Sequence, residues 1–324
     1  FGGKVGPGQT ARIFTGAPVP KGADAIVMQE DTEVAGDQIT MTVAPWPGKF
    51  VRPAGLDFQL GDVGITANRV LSSRDVGLAA AMNVPWLTVA RRPRIALLAT
   101  GDEIVRPGEP VGPNQIISSN TIALMGLIKA SGGEAIDLGI ASDDEASLRA
   151  LAAGARGADM LVTLGGASVG DHDLVRKVLG QDGLELDFWR IAMRPGKPLI
   201  FGSIGETPMM GMPGNPVSSL VCGIVYLRPA VRAMLGLDPH AASQTARLGQ
   251  DLPGNDLRQD YLRATASLNE DGETVVTPFD KQDSSMLSRL AKADCLILRA
   301  PHADPAKAGE RVEILPLSGE TTGI

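Results

Sequence analysis

The sequence predicts an α/β protein: a central three-layer domain, in which helices cover both faces of a parallel-rich sheet, with a β domain on either side. Between residues 94 and 240, apolar runs typical of buried strands alternate with segments of helical periodicity. Short alternating segments separated by glycine and proline turns precede and follow this stretch. We therefore expect a partial β domain at 1–61, a helical linker segment at 62–93, the α/β domain at 94–240 and a C-terminal β domain at 241–324.

The composition narrows the class of ligand. The 324 residues include 30 Lys and Arg against 37 Asp and Glu, a net charge of −7. Such a surface repels a polyanion, so we expect no nucleic-acid partner and favour a small anionic substrate. No apolar run approaches the roughly 20 residues of a membrane-spanning helix, so we expect no membrane partner. The two isolated cysteines, Cys222 and Cys295, favour a reducing, cytoplasmic location.

The flanking domains are predicted from short strands. The chain begins at Phe1 within a glycine-rich stretch that resembles the middle of a domain, so we expect that an N-terminal part is missing. Strands are expected at Ala25–Gln29 and Gln38–Val43, and a helix at Ser73–Met82. The C-terminal strands are expected at Thr245–Leu248, Tyr261–Ser267, Thr274–Pro278, Cys295–Arg299 and Arg311–Ile314.

The central domain has the clearest periodicity. Its longest helix is expected at Pro216–Met234, with Asn215 as the N-cap and Pro216 at the first helical position. The other helices are expected at Asn120–Ala130, Asp144–Ala155 and Asp173–Leu179. The strands are expected at Arg94–Thr100, Ala135–Ile140, Met160–Leu164, Leu186–Ile191, Leu199–Phe201 and Met209–Met212. Ligands of such sheets bind at the carboxyl ends of the strands, so the loops there are the candidate site.

Two of these loops are acidic or glycine-rich. In the first, Thr100–Glu103, a carboxylate can hold Mg²⁺ or a sugar hydroxyl, or simply cap a solvated turn. The second, Gly165–Asp173, offers Gly165, Gly166 and Ser168 to an anion at a helix N-terminus, and Asp173 to a bridging metal. A flexible strand-to-helix turn with an aspartate cap would carry the same residues.

The other two loops are basic or rich in proline. The third carries Arg190, Arg194 and Lys197; period-two spacing puts the two arginines on one strand face, and the cations favour an oxyanion over a merely solvated basic edge strand. The fourth, Gly211–Ser219, has Pro213 and Pro216 fixing a turn that aims Ser218 at the site, or forms only a well-built strand–helix joint. Together the loops favour phosphoanhydride or oxyanion chemistry with Mg²⁺.

The order of the motifs resembles one enzyme family. The segments Thr15–Pro20 (TGAPVP) and Thr100–Glu103 (TGDE) are followed by GGASVG, RPGKP and PGNPVS. This set is similar to the molybdopterin molybdenumtransferases, the MoeA and gephyrin E-domain family. The resemblance implies a molybdopterin-binding fold in the central domain and an elongated homodimer with a shared cleft. It also implies Mg²⁺-dependent insertion of molybdate into adenylylated molybdopterin, with release of AMP.

The resemblance also implies roles for individual residues. Thr15, Asp57, Glu103, Asp143 and Asp173 match catalytic positions, with Glu103 and Asp173 as metal ligands. Ser218 and Arg263 match positions associated with molybdate, and Ser285 is a weaker match. The further anion-binding positions are Gly165, Gly166, Ser168, Arg190, Arg194, Lys197, Pro213 and Pro216.

One family motif, Asp-x-Ser-x-Met-Asp-Gly-Tyr-Ala, is absent from the sequence, in keeping with a missing N-terminal part. Two alternatives share the central fold. The first is the molybdopterin adenylyltransferase of the same pathway, which is otherwise expected as a partner. The second is a gephyrin-like scaffold that binds a peptide. The flanking β domains and the PGNPVS turn favour the insertion enzyme.

Overall fold

The computed structural model describes residues 1–165, 174–240 and 243–317. Its residues divide into two units, Phe1–Leu87 and Thr88–Ile324. Three predicted site residues, Gly166, Ser168 and Asp173, lie outside the described residues. Asp173 is also the predicted first residue of the helix that follows.

The first unit contains little regular structure in its described residues. Strands β1 (Thr32–Ala35) and β2 (Gln38–Met41) form an antiparallel hairpin, and helix α1 (Ser73–Ala81) begins with a capping box between Ser72 and Asp75. The predicted strand at Ala25–Gln29 is wrong. The amide of Ile26 donates to the carbonyl of Lys49 in a loop, 2.9 Å away, and a 3₁₀ turn begins at Gln29.

The second unit contains a six-stranded central sheet, which confirms the parallel-rich sheet. Its order is β6-β3-β7-β11-β10-β8, in which the first four strands are parallel and β10 is antiparallel to both of its neighbours. The strands are β3 (Arg94–Thr100), β6 (Glu134–Ala141), β7 (Met160–Leu164), β8 (Leu184–Trp189), β10 (Ile200–Ile204) and β11 (Thr207–Met212). A separate two-stranded ribbon pairs β4 (Ile104–Val105) with β5 (Ile116–Ile117).

Helices cover both faces of this sheet, as the three-layer prediction requires. Alternate residues of β3 divide between two apolar cores: Ile95 and Leu97 join one, and Ala96 and Leu98 join the other. Residues of α2, α5 and α6 complete the first core, and residues of α3 and α4 complete the second. The helices are α2 (Asn120–Ala130), α3 (Glu145–Ala152), α4 (Leu174–Gln181), α5 (Pro216–Cys222) and α6 (Arg228–Met234).

Helices α5 and α6 form one continuous helix, joined by a π-helical turn at Gly223–Leu227. Pro229 lacks the N–H that would bond to the carbonyl of Val225, which explains the irregular turn. By length and composition alone, Pro216–Met234 is apolar enough to cross a membrane. The prediction that no apolar run approaches that length is therefore wrong for this helix. Half of its apolar window is nevertheless buried in the domain core, as in a core helix.

The C-terminal β domain is confirmed. Its strands are β12 (Gln244–Leu248), β13 (Gln259–Leu268), β14 (Thr274–Pro278), β15 (Cys295–Arg299) and β16 (Arg311–Pro316), and a short helix, α7 (Leu287–Ala291), lies between β14 and β15. The strand order β14-β12-β16-β15-β13, with β13 also pairing to β14, closes a barrel. A sixth strand, β9 (Met193–Arg194), comes from the predicted central domain and pairs in parallel with the first residues of β13. The basic third loop is therefore attached to the C-terminal sheet.

Candidate functional site

One edge of the central sheet collects the first, third and fourth predicted loops and the first residue of the second, Gly165. Parallel strands β3, β6, β7 and β11 end there, at Thr100, Ala141, Leu164 and Met212. The third loop reaches the same edge because Ile200, the first residue of β10, pairs with both Gly211 and Trp189. The carboxyl edge of the sheet is therefore the candidate site.

Two loops at this edge, residues 101–103 and 142–143, form the acidic loops. They are tied together by the amide of Asp143, which donates to Asp102 Oδ1 at 3.1 Å, and by the amide of Asp102, 3.4 Å from Asp143 Oδ2. Gly101 has φ +131°, and a Cβ there would lie 2.4 Å from a carboxylate oxygen of Glu103. Glycine thus lets the Glu103 carboxylate fold over the strand end, where it is exposed.

The acidic loops carry oxygen ligands of the kind that Mg²⁺ prefers. In the described ranges no group of three or more His, Cys, Asp or Glu residues could hold a metal ion. Mg²⁺ is commonly held by one or two carboxylates and completed by substrate phosphates. Of the two predicted metal ligands, Glu103 lies in these loops, and Asp173 lies outside the described residues.

The start of the glycine-rich second loop lies against the fourth loop. Gly165 has φ +86°, its amide donates to Met212 O at 3.3 Å, and a Cβ there would lie 3.0 Å from Thr100 O. Asn120 Nδ2 donates to Gly214 O at 2.7 Å and so attaches α2 to the same place. These contacts leave no room for a side chain at Gly165 and bring the backbone close to the site.

The predicted strand face shared by Arg190 and Arg194 is wrong. Strand β8 ends at Trp189; Arg190 follows with φ +72°, and its guanidinium lies 4.1 Å from the centre of the Trp189 ring. Arg194 belongs to β9, in the other sheet. A left-handed residue and a change of sheet therefore break the period of two that the sequence suggested.

Arg194 is occupied by carboxylates of the C-terminal domain. Its Nε donates to Asp260 Oδ1 at 2.8 Å, its Nη2 contacts the second oxygen of Asp260, and its Nη1 lies 3.3 Å from Asp256 Oδ2. The hydrogen bond to Asp260 raises the pKa of Arg194. The role predicted for Arg194 in anion binding thus competes with this ion pair, whereas Lys197 is exposed on the turn that follows.

The helix that follows the fourth loop is not capped by the Asn215 side chain as predicted. Asn215 occupies the N-cap position, but its side chain makes no capping hydrogen bond; Nδ2 donates instead to Ser284 Oγ at 2.9 Å. The carbonyl of Ser284 accepts the amide of Val217 at 3.0 Å. The cap is therefore supplied by a segment of the C-terminal domain. Ser218 and Ser219 are buried in the first turn, and Ser219 Oγ has no hydrogen-bond partner among the described residues.

Arg263 on β13 is the most unusual cation of the site. It is fully buried, at 0% exposure. Its Nη2 lies 3.3 Å from the carbonyl of Asp283, but Nε and Nη1 have no partner among the described residues. Burial lowers the pKa of this guanidinium. The hydroxyl of Ser285 donates to Asp283 Oδ1 at 2.6 Å and not to the site around Arg263. This hydrogen bond lowers the pKa of Asp283.

The segment from Gln282 to Ser285 joins Arg263 to the helix. Gln282 Oε1 accepts the amide of Arg263 at 3.0 Å, Asp283 accepts from its guanidinium, and Ser284 accepts from Val217 at the start of α5. Ser284, Gln282 and Asp260 were missed in the sequence. Arg258 and Gln259, the residues that precede Asp260, are polar, so the sequence carried no sign that Asp260 is buried.

Thr15 and Asp57 belong to the first unit, whereas the other predicted residues belong to the second. Thr15 is exposed in a turn closed by the amide of Ala17 and the carbonyl of Phe14, 2.9 Å apart, with Gly16 at φ +88°. Asp57 is exposed in a loop. Cys222 offers no alternative nucleophile, because burial raises its pKa to about 12.

The fold and its loops define an α/β protein with a candidate ligand site at the carboxyl edge of its central sheet. Residues 96–233 match the family model of the probable molybdopterin binding domain. Residues 2–83 match that of the MoeA N-terminal region, domains I and II, and residues 245–317 match that of the MoeA C-terminal region, domain IV. The chain belongs to the molybdopterin molybdenumtransferases, an enzyme family of molybdenum cofactor biosynthesis, as the motifs indicated.

Named relatives agree with this assignment. The molybdopterin molybdenumtransferase of Haemophilus influenzae is 34% identical over 95% of this chain and 77% of its own length. That of Nostoc sp. is 39% identical over 71% of this chain and 54% of its own length. A crystal structure of the molybdopterin biosynthesis MoeA protein from Pyrococcus horikosii has a TM-score of 0.81 at 32% identity, covering 98% of this chain and 78% of that one.

Proposed function

We propose that this protein inserts molybdate into adenylylated molybdopterin and releases AMP, in a Mg²⁺-dependent reaction. The observation that carries the proposal is Arg263, a fully buried guanidinium whose nitrogens Nε and Nη1 have no acceptor among the described residues. A buried cation whose N–H groups lack acceptors is costly, and an oxyanion would supply the missing acceptors together with a close negative charge.

We expect molybdate to be bound by Arg263 together with Lys197 and Ser218. It is a tetrahedral dianion that needs several converging donors. Arg263 offers a planar fork, Lys197 a point charge on the RPGKP turn, and Ser218 a hydroxyl in the first turn of α5. That helix end contributes less than its sequence suggests, because Pro216 has no N–H and the Val217 amide is taken by Ser284. The side chains therefore carry most of the binding.

The organic part of the substrate belongs near the acidic loops. A cavity of about 460 Å³ opens beside them, lined by Gly101, Asp102, Arg106, Gly139 and Ser142 among others. Glu103, together with Asp173 as expected from the family, would hold Mg²⁺ beside the phosphates. The ion would neutralise charge developing on the phosphoanhydride. Gly165, Gly166 and Ser168 would approach the same anion through the backbone and a hydroxyl.

The remaining expectations rest on the family resemblance. We propose a cytoplasmic homodimer in which Thr15 and Asp57 have the catalytic roles that the family resemblance implies. A molybdopterin adenylyltransferase would supply its substrate. Arg190, Pro213, Pro216 and Ser285 would line or shape the anion site.

The test is the substrate dependence of Arg263→Ala. We expect a higher molybdate concentration for half-maximal insertion, by about 10- to 100-fold, because one or two charge-assisted hydrogen bonds of about 1.5–3 kcal/mol are lost. Binding of the adenylylated pterin should stay near the parent value. Loss of pterin binding with an unchanged molybdate response would place Arg263 in the nucleotide or pterin site. Turnover of molybdopterin with ATP in the parent enzyme would support the adenylyltransferase instead.

A further inference from the structure

We propose that Asp260 is a positioning residue: through Arg194, it holds the Lys197 turn in the place where molybdate binds. The turn is defined as residues 193–198. The inference rests on the proposed function, because it takes Lys197 as a ligand of the anion. It adds a residue that touches no substrate and acts only through Arg194.

Asp260 is built as an anchor. Its side chain is 5% exposed, and it accepts from Nε and Nη2 of Arg194 in a two-pronged ion pair. The backbone supports the same contact, because Asp260 and Arg194 are paired residues of β13 and β9. The amide of Gln259 also donates to Ala192 O at 2.9 Å. Side chains and backbone thus fix one flank of the turn to the C-terminal barrel.

The underside of the turn rests on the central domain. Gly196 has φ +118°, and a Cβ there would lie 2.6 Å from Cys222 Sγ and 2.9 Å from Met193 Sδ. The amide of Ile191 closes the turn by donating to Lys197 O at 3.0 Å. The backbone of the turn is therefore held by two contacts, one with helix α5 and one with strand β13. The ion pair between Arg194 and Asp260 belongs to the contact with β13.

Strand β13 carries both Asp260 and Arg263, three residues apart, which is roughly 10 Å along a strand. The strand therefore sets the Lys197 turn and the buried guanidinium relative to one another. Two cations held in place before the anion arrives bind it without first being ordered. Without the Asp260 carboxylate, Lys197 would keep its charge but lose one of the attachments that fix the position of its turn.

The experiment compares Asp260→Asn with a matched control, Glu273→Gln. Glu273 makes a similar two-pronged ion pair with Arg247, at 3.0 and 3.1 Å, elsewhere in the same domain. Molybdate alone is titrated calorimetrically into each full-length variant. We expect binding about tenfold weaker in Asp260→Asn and within about twofold of the parent in the control. Hydrogen exchange at the amides of Ile191 and Leu199 should quicken only in Asp260→Asn.

Further variants guard against a merely structural effect. Arg194→Lys keeps the charge but loses the fork, so its affinity should fall between the parent and Asp260→Asn. Exchanging the pair, as Arg194→Asp with Asp260→Arg, should restore part of the affinity. Unchanged molybdate affinity in Asp260→Asn, while Lys197→Ala binds more weakly, would overturn the inference and leave the proposed function intact. Unchanged affinity in Lys197→Ala as well would remove the anion site and the inference with it.

Discussion

Arg194 and Arg263 lie on adjacent strands but differ in what surrounds them. The side chain of Arg194 is 45% exposed, yet Nε and both terminal nitrogens have oxygen partners in the protein. Arg263 is fully buried, yet two of its three nitrogens have no partner in the part of the chain that is described. Exposure and availability for a ligand are therefore opposite in these two residues.

The difference separates a cation that builds the protein from one that binds. An exposed arginine between two carboxylates gains little from an added anion, because its donors are taken. A buried arginine with free donors is costly until an anion arrives, and such costs are tolerated at functional sites. Both arginines were predicted from the sequence to bind an anion, because the fold, and not the local sequence, sets their partners.

The comparison is tested first by stability in the absence of ligand. Arg194→Met should lower the free energy of unfolding by about 1–3 kcal/mol, because it leaves the buried Asp260 carboxylate without its partner. Arg263→Met should leave that free energy unchanged or raise it by about 1 kcal/mol, because it removes a buried charge. Urea denaturation at pH 7 measures both. A larger loss in Arg263→Met than in Arg194→Met would reverse the roles.

The acidic loops are tested next, by turnover. Glu103→Gln should reduce insertion about tenfold at limiting Mg²⁺, with partial recovery as Mg²⁺ is raised, because one oxygen ligand loses its charge. Asp143→Asn should show the same pattern more weakly. Glu270→Gln, exposed in the turn after β13, is the control. If Glu103→Gln and Asp143→Asn match the parent in turnover and in Mg²⁺ response, these carboxylates have no role beyond their solvated turns.

The smallest expected effect concerns Asp256, which contacts both Arg194 and Arg258. Hydrogen bonds from Arg258 lower the pKa of Asp256 from 3.8 to about 2. The stabilisation is therefore complete above pH 4 and is lost as the pH falls towards 2. Thermal unfolding from pH 5 to 2 should show a shallower acid loss in Asp256→Asn than in the parent. Parallel curves would mean that Asp256 is not linked to folding.

The fold could be predicted where local signals agreed. Arg94–Thr100 and Asn120–Ala130 were predicted to the residue, because a continuous apolar run and a glycine-terminated helix have sharp limits. The strand predicted at Ala25–Gln29 is wrong because the backbone of Ile26 bonds to a loop residue, Lys49, and not to a neighbouring strand. Strand β9 was also missed: two residues within a loop carry no periodicity, and their partner strand lies more than 60 residues away.

The site could be predicted in its loops but not in its pairings. The carboxyl-edge rule correctly brought together the first, third and fourth loops and the start of the second. Sequence spacing could not show that Asn215 bonds to Ser284 rather than to its own helix, or that Arg194 meets Asp260. These are contacts between distant segments, fixed by how the barrel attaches to the central sheet.

The most direct test of the anion site is anomalous diffraction at the molybdenum edge from crystals soaked in molybdate. We expect one strong peak within hydrogen-bonding distance of Nε or Nη1 of Arg263, close to the Lys197 ammonium. That peak should disappear in crystals of Arg263→Met. A peak held by other residues, with the Arg263 nitrogens still without a partner, would contradict the assignment of this buried guanidinium as the molybdate ligand.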